Sequence, residues 1–316
     1  MSLRAFAECW NQFFFQPKSP LPIASFRILY GILVIANLLL LWPDWLAWFG
    51  VHAWMSLSTM YKVEPGIRLN LFTVIPQNDR WSEAIFWVGL IWAAFVAIGF
   101  LTRLSSIATF LCLASINERN LFAFHAGDTF LRIAGFFLIF APAGAALSVD
   151  RILRVRKGRE GLEIASRSPW AQRMIQLQLS FVYFFAFWWK SMGAPWVNGT
   201  ALYYLNHLDE IHRLPIPGLF QSPIFTKVGS WLTLALEFSL GVLIWFKELR
   251  YPLLIAGVLF HLTLEYALNV PMFQWEMISA YVLFVDPADL ERAGRWTRAR
   301  TAAISRIRFG ASPSRV

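Results

Sequence analysis

Apolar runs recur along the chain near residues 22–42, 84–101, 104–120, 128–148, 174–194, 228–246, 250–268 and 272–286. Each approaches the ~20 helical residues that cross a hydrocarbon core. No strand-like alternation is long enough to suggest a barrel. The pattern predicts an all-α, polytopic membrane bundle of about eight transmembrane helices. Seven or nine stays open, because the third run is short and the last four carry charges. The first run, LPIASFRILYGILVIANLLLLW, is too long for the apolar region of a signal peptide and lacks a small-residue cleavage site. It reads as a permanent anchor.

The runs divide the chain into an N-terminal segment (1–21), a membrane domain (22–287) and an Arg-rich tail (288–316) that reads as a surface helix followed by disorder. The longest outer loop opens PDWLAWFGVHAW, which places Trp45, Trp48 and Trp54, with His52 beside them, as interfacial anchors. The second outer loop, 195–227, is punctuated by Pro195, Pro215, Pro217 and Gly218, which favour turns.

Composition agrees with a bilayer. Hydrophobic residues are 57% and charged residues 15%, against about 25% charged in ordinary soluble chains. The net charge of +9 follows from placing both termini in the cytoplasm. Outer loops then hold Lys62, Arg68, Arg80, Arg119, Arg213 and Lys227, spans hold Arg27, Arg132 and Lys190, and the other nineteen Lys and Arg lie inside. That is the positive-inside asymmetry, so the charge calls for no nucleic acid. The stretch RILRVRKGREG is expected to meet anionic lipid. Cys9 and Cys112 fall on different levels and are not expected to pair. HExxH, CxxC and glycine-rich phosphate motifs are missing from the sequence, so no motif-borne metal site is predicted, and spacing gives only weak support to one assembled across helices from the five spread histidines.

Ionisable groups inside spans cost roughly 2.5–3.5 kcal/mol each on insertion scales, so each calls for a reason. Arg27 near an inner end is expected to snorkel. Asp128 and Arg132, four apart, are expected to form a structural charge pair along one helix. Glu237 sits mid-span and is placed to bond across helices. His207 and His212 read as surface residues. With the topology above, His125, Lys190, His261, Glu265 and Glu276 converge on the outer half of the bundle. Lys190 ends an apolar stretch just before the turn GAPWVNG. Burial there favours the uncharged amine, a usable general base.

The segment VYFFAFWWKSMGAPWVNG, with SFRILYG, SVD and FHLTLEYALNVPMFQWEMISAYVLF, resembles the membrane half of the vitamin K-dependent gamma-carboxylases, grouped with bacterial proteins as the HTTM (horizontally transferred transmembrane) family. The resemblance covers roughly residues 20–287. It implies that Lys190 deprotonates a reduced naphthoquinone of the vitamin K or menaquinone type, that oxygen adds, and that the resulting alkoxide takes a proton from a glutamate side chain which captures carbon dioxide. His125 in FHAGDTFLRI is the nearest match to the family's assisting histidine, and His261 would line the site. Trp189, Trp196, Tyr183, Glu265 and Glu276 are the expected substrate-binding residues. The chain departs from the carboxylases at Trp189, where they carry a second lysine, in the spacing from Lys190 to Trp196, and in ending some thirty residues beyond the last apolar run. WVNGTALYY also resembles the sporulation-delaying protein B branch, which implies an accessory role in peptide maturation or export. Partners implied by the family are a peptide or protein substrate and a DCC-type thiol oxidoreductase. A proton- or ion-coupled transporter would use the same buried charges.

Overall fold

A computed structural model describes residues 2–63, 65–66, 68–123 and 125–296. Among these residues the fold is all-α, with two isolated β-bridges and no strand. An amphipathic helix α1 (Leu3–Phe15) precedes the long α2 (Leu21–Leu41). The long loop after α2 carries α3 (Trp45–Phe49) and α4 (Leu57–Val63), followed by α5 (Asp79–Ile98), α6 (Thr102–Arg119) and α7 (Ala126–Phe140). A short α8 (Val149–Arg156) leads to α9 (Trp170–Ser191). The turn after Lys190 holds α10 (Ala194–Val197) and α11 (Ala201–Leu205). The chain then runs through α12 (Pro223–Val242), α13 (Lys247–Ala267) and α14 (Phe273–Ala280). Residues 287–296 are helical, and the rest of the predicted tail lies outside the described residues.

Local chemistry sets these boundaries. Asn78 caps α5 through the Trp81 amide, and Gly99 ends it at φ 69°, the left-handed turn that glycine adopts without strain. Ser222 caps α12, with Pro223 in its first turn, where the missing N–H costs nothing.

Each predicted apolar run contains a helix, but the count of eight spans does not carry over. By length and composition three helical stretches among the described residues suffice to cross a membrane: Leu21–Phe49, Asp79–Ile98 and Pro223–Trp245. The last run forms only the eight-residue α14 and a 3-10 turn, Tyr281–Phe284, too short for a ~30 Å core. Its place explains its length. The helices α2, α5, α6, α7, α9, α12 and α13 pack in sequence order, and α14 sits against α2, α7, α9 and α13 together. Gln274, Glu276, Met277, Ser279 and Ala280 are all buried there. Small residues bring the outer helices close: a Cβ on Gly31 would stand 2.6 Å from the Ala97 nitrogen, and one on Gly241 2.9 Å from the Phe184 nitrogen. Large apolar side chains such as Ile91, Phe136, Phe181, Leu232 and Ile255 remain exposed outside the ring, the surface expected of a protein solvated by lipid.

Two expectations are corrected here. Trp45 is buried, not interfacial, because its indole N–H bonds Ser82 at the start of α5 (3.1 Å to Oγ). Arg27 does not snorkel. It is fully buried and donates to the Ala143 and Leu147 carbonyls (3.0 and 2.6 Å), pinning the loop between α7 and α8. In the run expected to meet anionic lipid, Arg151 and Arg154 both pair with Glu160, while Arg156, Lys157 and Arg159 stay exposed. Both cysteines are free, Cys9 exposed and Cys112 buried.

Candidate functional site

Helix α9 positions the site. Tyr183 and Lys190 are seven residues apart, two turns of one face. Side chains on a helix lean toward its N-terminus, so Lys190 reaches back along α9 and meets α12, which runs antiparallel against it. Its Nζ donates to Glu237 Oε1 in a direct ion pair. The same nitrogen lies 5.0 Å from the centre of the Trp196 ring, a cation–π contact that α10 supplies. The turn GAPWVNG is held as expected: Gly193 N–H bonds the Lys190 carbonyl (2.9 Å), and Trp231 of α12 donates to the Val197 carbonyl (3.0 Å). Lys190 keeps 29% of its side chain exposed, whereas Glu237 keeps 5%. Glu237 Oε2 has no hydrogen-bond partner.

This corrects the picture of an amine isolated by burial. The wall that Lys190 faces is a carboxylate, not hydrocarbon. The pair is neutral as a unit whichever partner holds the proton, which is how a low-dielectric interior tolerates two ionisable groups.

Below the pair, on the same face of α9, runs a buried polar chain. The amide oxygen of Gln274 accepts from His261 Nδ1 (2.5 Å), which leaves Nε2 to accept from the Tyr183 hydroxyl (2.5 Å). Tyr183 in turn accepts from Tyr281 (2.6 Å). Helices α9, α13 and α14 and the turn beyond α14 each contribute one member. His261 and Tyr183 are 2% and 3% exposed. Lys190 lies within electrostatic reach of His261, and Glu237 of Tyr183.

His125 does not join them. Its Nδ1 accepts the Gly127 amide (3.0 Å), so Nε2 carries the hydrogen and donates to the Pro271 carbonyl (2.7 Å). It is the N-cap of α7, and Phe273 lies between it and His261, 6.0 Å from one ring centre and 6.2 Å from the other. His125 instead borders an open cavity of about 450 Å³ with Asn37, Asp128 and Met272. The predicted pair Asp128–Arg132 does not form. Asp128 stands at the third helical position, where it accepts the His125 amide (2.9 Å) and the Asn37 side chain (2.7 Å). Arg132 turns to Glu118 of α6 (2.7 Å).

The other predicted residues scatter. Trp189 is 69% exposed and faces outward. Glu265 takes Arg213 from the second outer loop, not His261 one turn before it. Glu276 is fully buried against Gly127, with neither carboxylate oxygen hydrogen-bonded. Sequence reading passed over Gln274 and Tyr281 as site residues. Their seven-residue spacing, the same as that of Tyr183 and Lys190, was the available signal for a second polar face. Among the described residues no cluster of three or more His, Cys, Asp or Glu could hold a metal.

No solved structure matches the chain. The HTTM domain family matches residues 15–288, from the end of α1 to just beyond the last membrane-domain turn, and so takes in every residue of the polar chain and the ion pair. This chain belongs to the HTTM domain family.

Proposed function

We propose that the chain is a multi-pass membrane protein with both termini in the cytoplasm, and that Lys190 and Glu237 form its acid–base centre, acting on a lipid-soluble hydroxyaromatic of the reduced naphthoquinone class. The observation that carries this reading is the ion pair itself, half-open at the end of α9, flanked by Trp196 and backed by the chain from Tyr183 to Gln274. The Lys190 ammonium can pass its own proton to Glu237 with no change in the charge of the pair, which frees the amine to accept another. Such positioned proton transfer contributes typically 10²–10⁴-fold to rate.

The residues fit the proposed group. The amine sits beside an indole, with Trp189 and Met192 exposed alongside, so Trp196 and Lys190 would hold a planar ring that enters from lipid. A bound quinol would supply electrons for the reduction of oxygen. The protein's part is to pass the Lys190 proton to Glu237, take up the hydroxyl proton at the amine so freed, and fix the imidazole of His261 through Tyr183 and Gln274. His125 is outside this centre.

Oxygen uptake by membranes given reduced menaquinone tests the reading. Lys190→Arg keeps a cation for Glu237, but a guanidinium does not give up its proton. Uptake is expected to fall at least about 100-fold at normal protein level. Wild-type uptake in Lys190→Arg would overturn the assignment of Lys190 as base.

A second reading has one observation in its favour. With His125 committed to the α7 cap and Pro271, the chain fits an accessory role in peptide maturation or export, with a secreted peptide or a thiol oxidoreductase as partner. Peptide output that is unchanged in Lys190→Arg, in membranes with no quinol-dependent uptake, selects this reading.

A further inference from the structure

At the end of the bundle opposite Lys190, an open cleft of about 550 Å³ lies between the start of α6, the end of α7 and the start of α9. Three arginines line it: Arg103, Arg154 and Arg167. Arg154 is occupied by Glu160 (2.7 Å) and the Gly144 carbonyl (2.8 Å). The acid in the cleft, Asp150, is spent on capping α6, accepting the Leu101 amide (2.8 Å) and the Thr102 amide and hydroxyl (2.7 and 2.6 Å).

Two charges are left over. Arg103 is exposed and makes no hydrogen bond or ion pair among the described residues. It also stands in the first turn of α6, where the helix dipole disfavours a cation. Arg167 is exposed, with one long bond (3.4 Å) to its neighbour's carbonyl, though Glu160 is within its electrostatic reach. Its backbone is fixed all the same, by a reciprocal pair of bonds with Lys18 (both 2.8 Å).

The rest of the wall is apolar and aromatic. Phe140 and Trp170, both lining the cleft, pack against each other with ring centres 5.8 Å apart. Leu104 and Phe136 continue the exposed apolar surface along α6 and α7. A basic mouth with an indole at its rim and hydrocarbon walls running into the membrane matches a lipid better than a soluble anion. From this we infer that the cleft binds the phosphate headgroup of an anionic membrane lipid, with Arg103 and Arg167 as its cationic contacts. The inference rests on the membrane reading above but not on any chemistry at Lys190.

The purified full chain, titrated with phosphatidylglycerol in detergent and followed by native mass spectrometry, provides the test. Arg103→Gln with Arg167→Gln is expected to weaken binding about 30-fold, two charges at ~1 kcal/mol each. Each single variant should lose about fivefold, and Arg103→Lys with Arg167→Lys should hold most of the affinity. Phosphatidylcholine and millimolar inorganic phosphate should not compete. Wild-type affinity in the Gln variants overturns the proposal. So does an equal loss in Arg292→Gln with Arg295→Gln, which would mark diffuse charge, or full displacement by inorganic phosphate, which would mark a soluble-anion site. The readout does not involve oxygen uptake, so failure here leaves the Lys190 assignment standing.

Discussion

A Cβ on Gly127 would stand 1.7 Å from Glu276 Oε2 and 2.8 Å from His125 Cε1. Glycine at this position therefore makes the room in which a fully buried carboxyl sits. Gly127→Ala should cost about 1–3 kcal/mol by overpacking, since it forces the carboxyl of a fully buried Glu276 to move. Glu276→Ala removes the obstacle, so the double variant should melt above the sum of the two single losses. Thermal midpoints of all four proteins measure this coupling; strict additivity would mean that the two side chains do not contend for the same space. Glu276 was legible in the sequence as a costly charge in an apolar run, but its neighbour was not. The failed pairing of Asp128 with Arg132 shows why. A four-residue spacing says which side chains share a helix face, not whether one of them is claimed by the backbone at the helix start. Histidine is not among the favoured N-cap residues, so the cap at His125 left little trace in the sequence.

The joint between α7 and α9 gathers Arg27, Asp150, Arg151, Arg154 and Glu160 around the short helix α8. Glu160 is held below the usual carboxylate range, chiefly by the hydrogen bond from Arg154, with burial opposing and the charges of Arg154, Arg151 and Arg167 assisting. A depressed folded-state value contributes stability above the ordinary value of 4.5, and that contribution is lost as pH falls through the lower folded value. Amide exchange in α8 should therefore be slower in the wild type than in Glu160→Gln at pH 7, and the difference should narrow as pH falls below 4.5 and close beneath the lowered folded value. A gap that persists under acid would mean that the charge of Glu160 is not what steadies α8. Apolar runs announced most of the long helices to within a few residues. The amphipathic α1 escaped because its apolar face is narrow, with Leu3, Phe6 and Trp10 exposed on it. The shortness of α14 escaped because a run of apolar residues looks the same whether lipid or protein surrounds it. Only the packing of α14 against four other helices gives Gln274 and Tyr281 a buried polar setting and His261 its partners.

Across the whole molecule, the ion pair of Lys190 and the cleft of Arg103 and Arg167 mark opposite ends of one bundle. On the proposed topology the second end faces the cytoplasm. Helix α1 belongs to that end, since Lys18, just beyond it, is bonded to Arg167. The cysteines offer a direct check, because Cys9 on α1 is exposed and Cys112 is buried. A membrane-impermeant maleimide should label Cys9 in inverted vesicles and leave intact cells unlabelled until they are permeabilised, with Cys9→Ser abolishing the signal. Labelling of intact cells would turn the molecule over. Lys190 would then exchange protons with the cytoplasm, and the arginine cleft would face the outer leaflet, where the anionic cytoplasmic surface that favours its proposed ligand is lacking. The orientation of one cysteine thus decides which leaflet can reach each of the two sites.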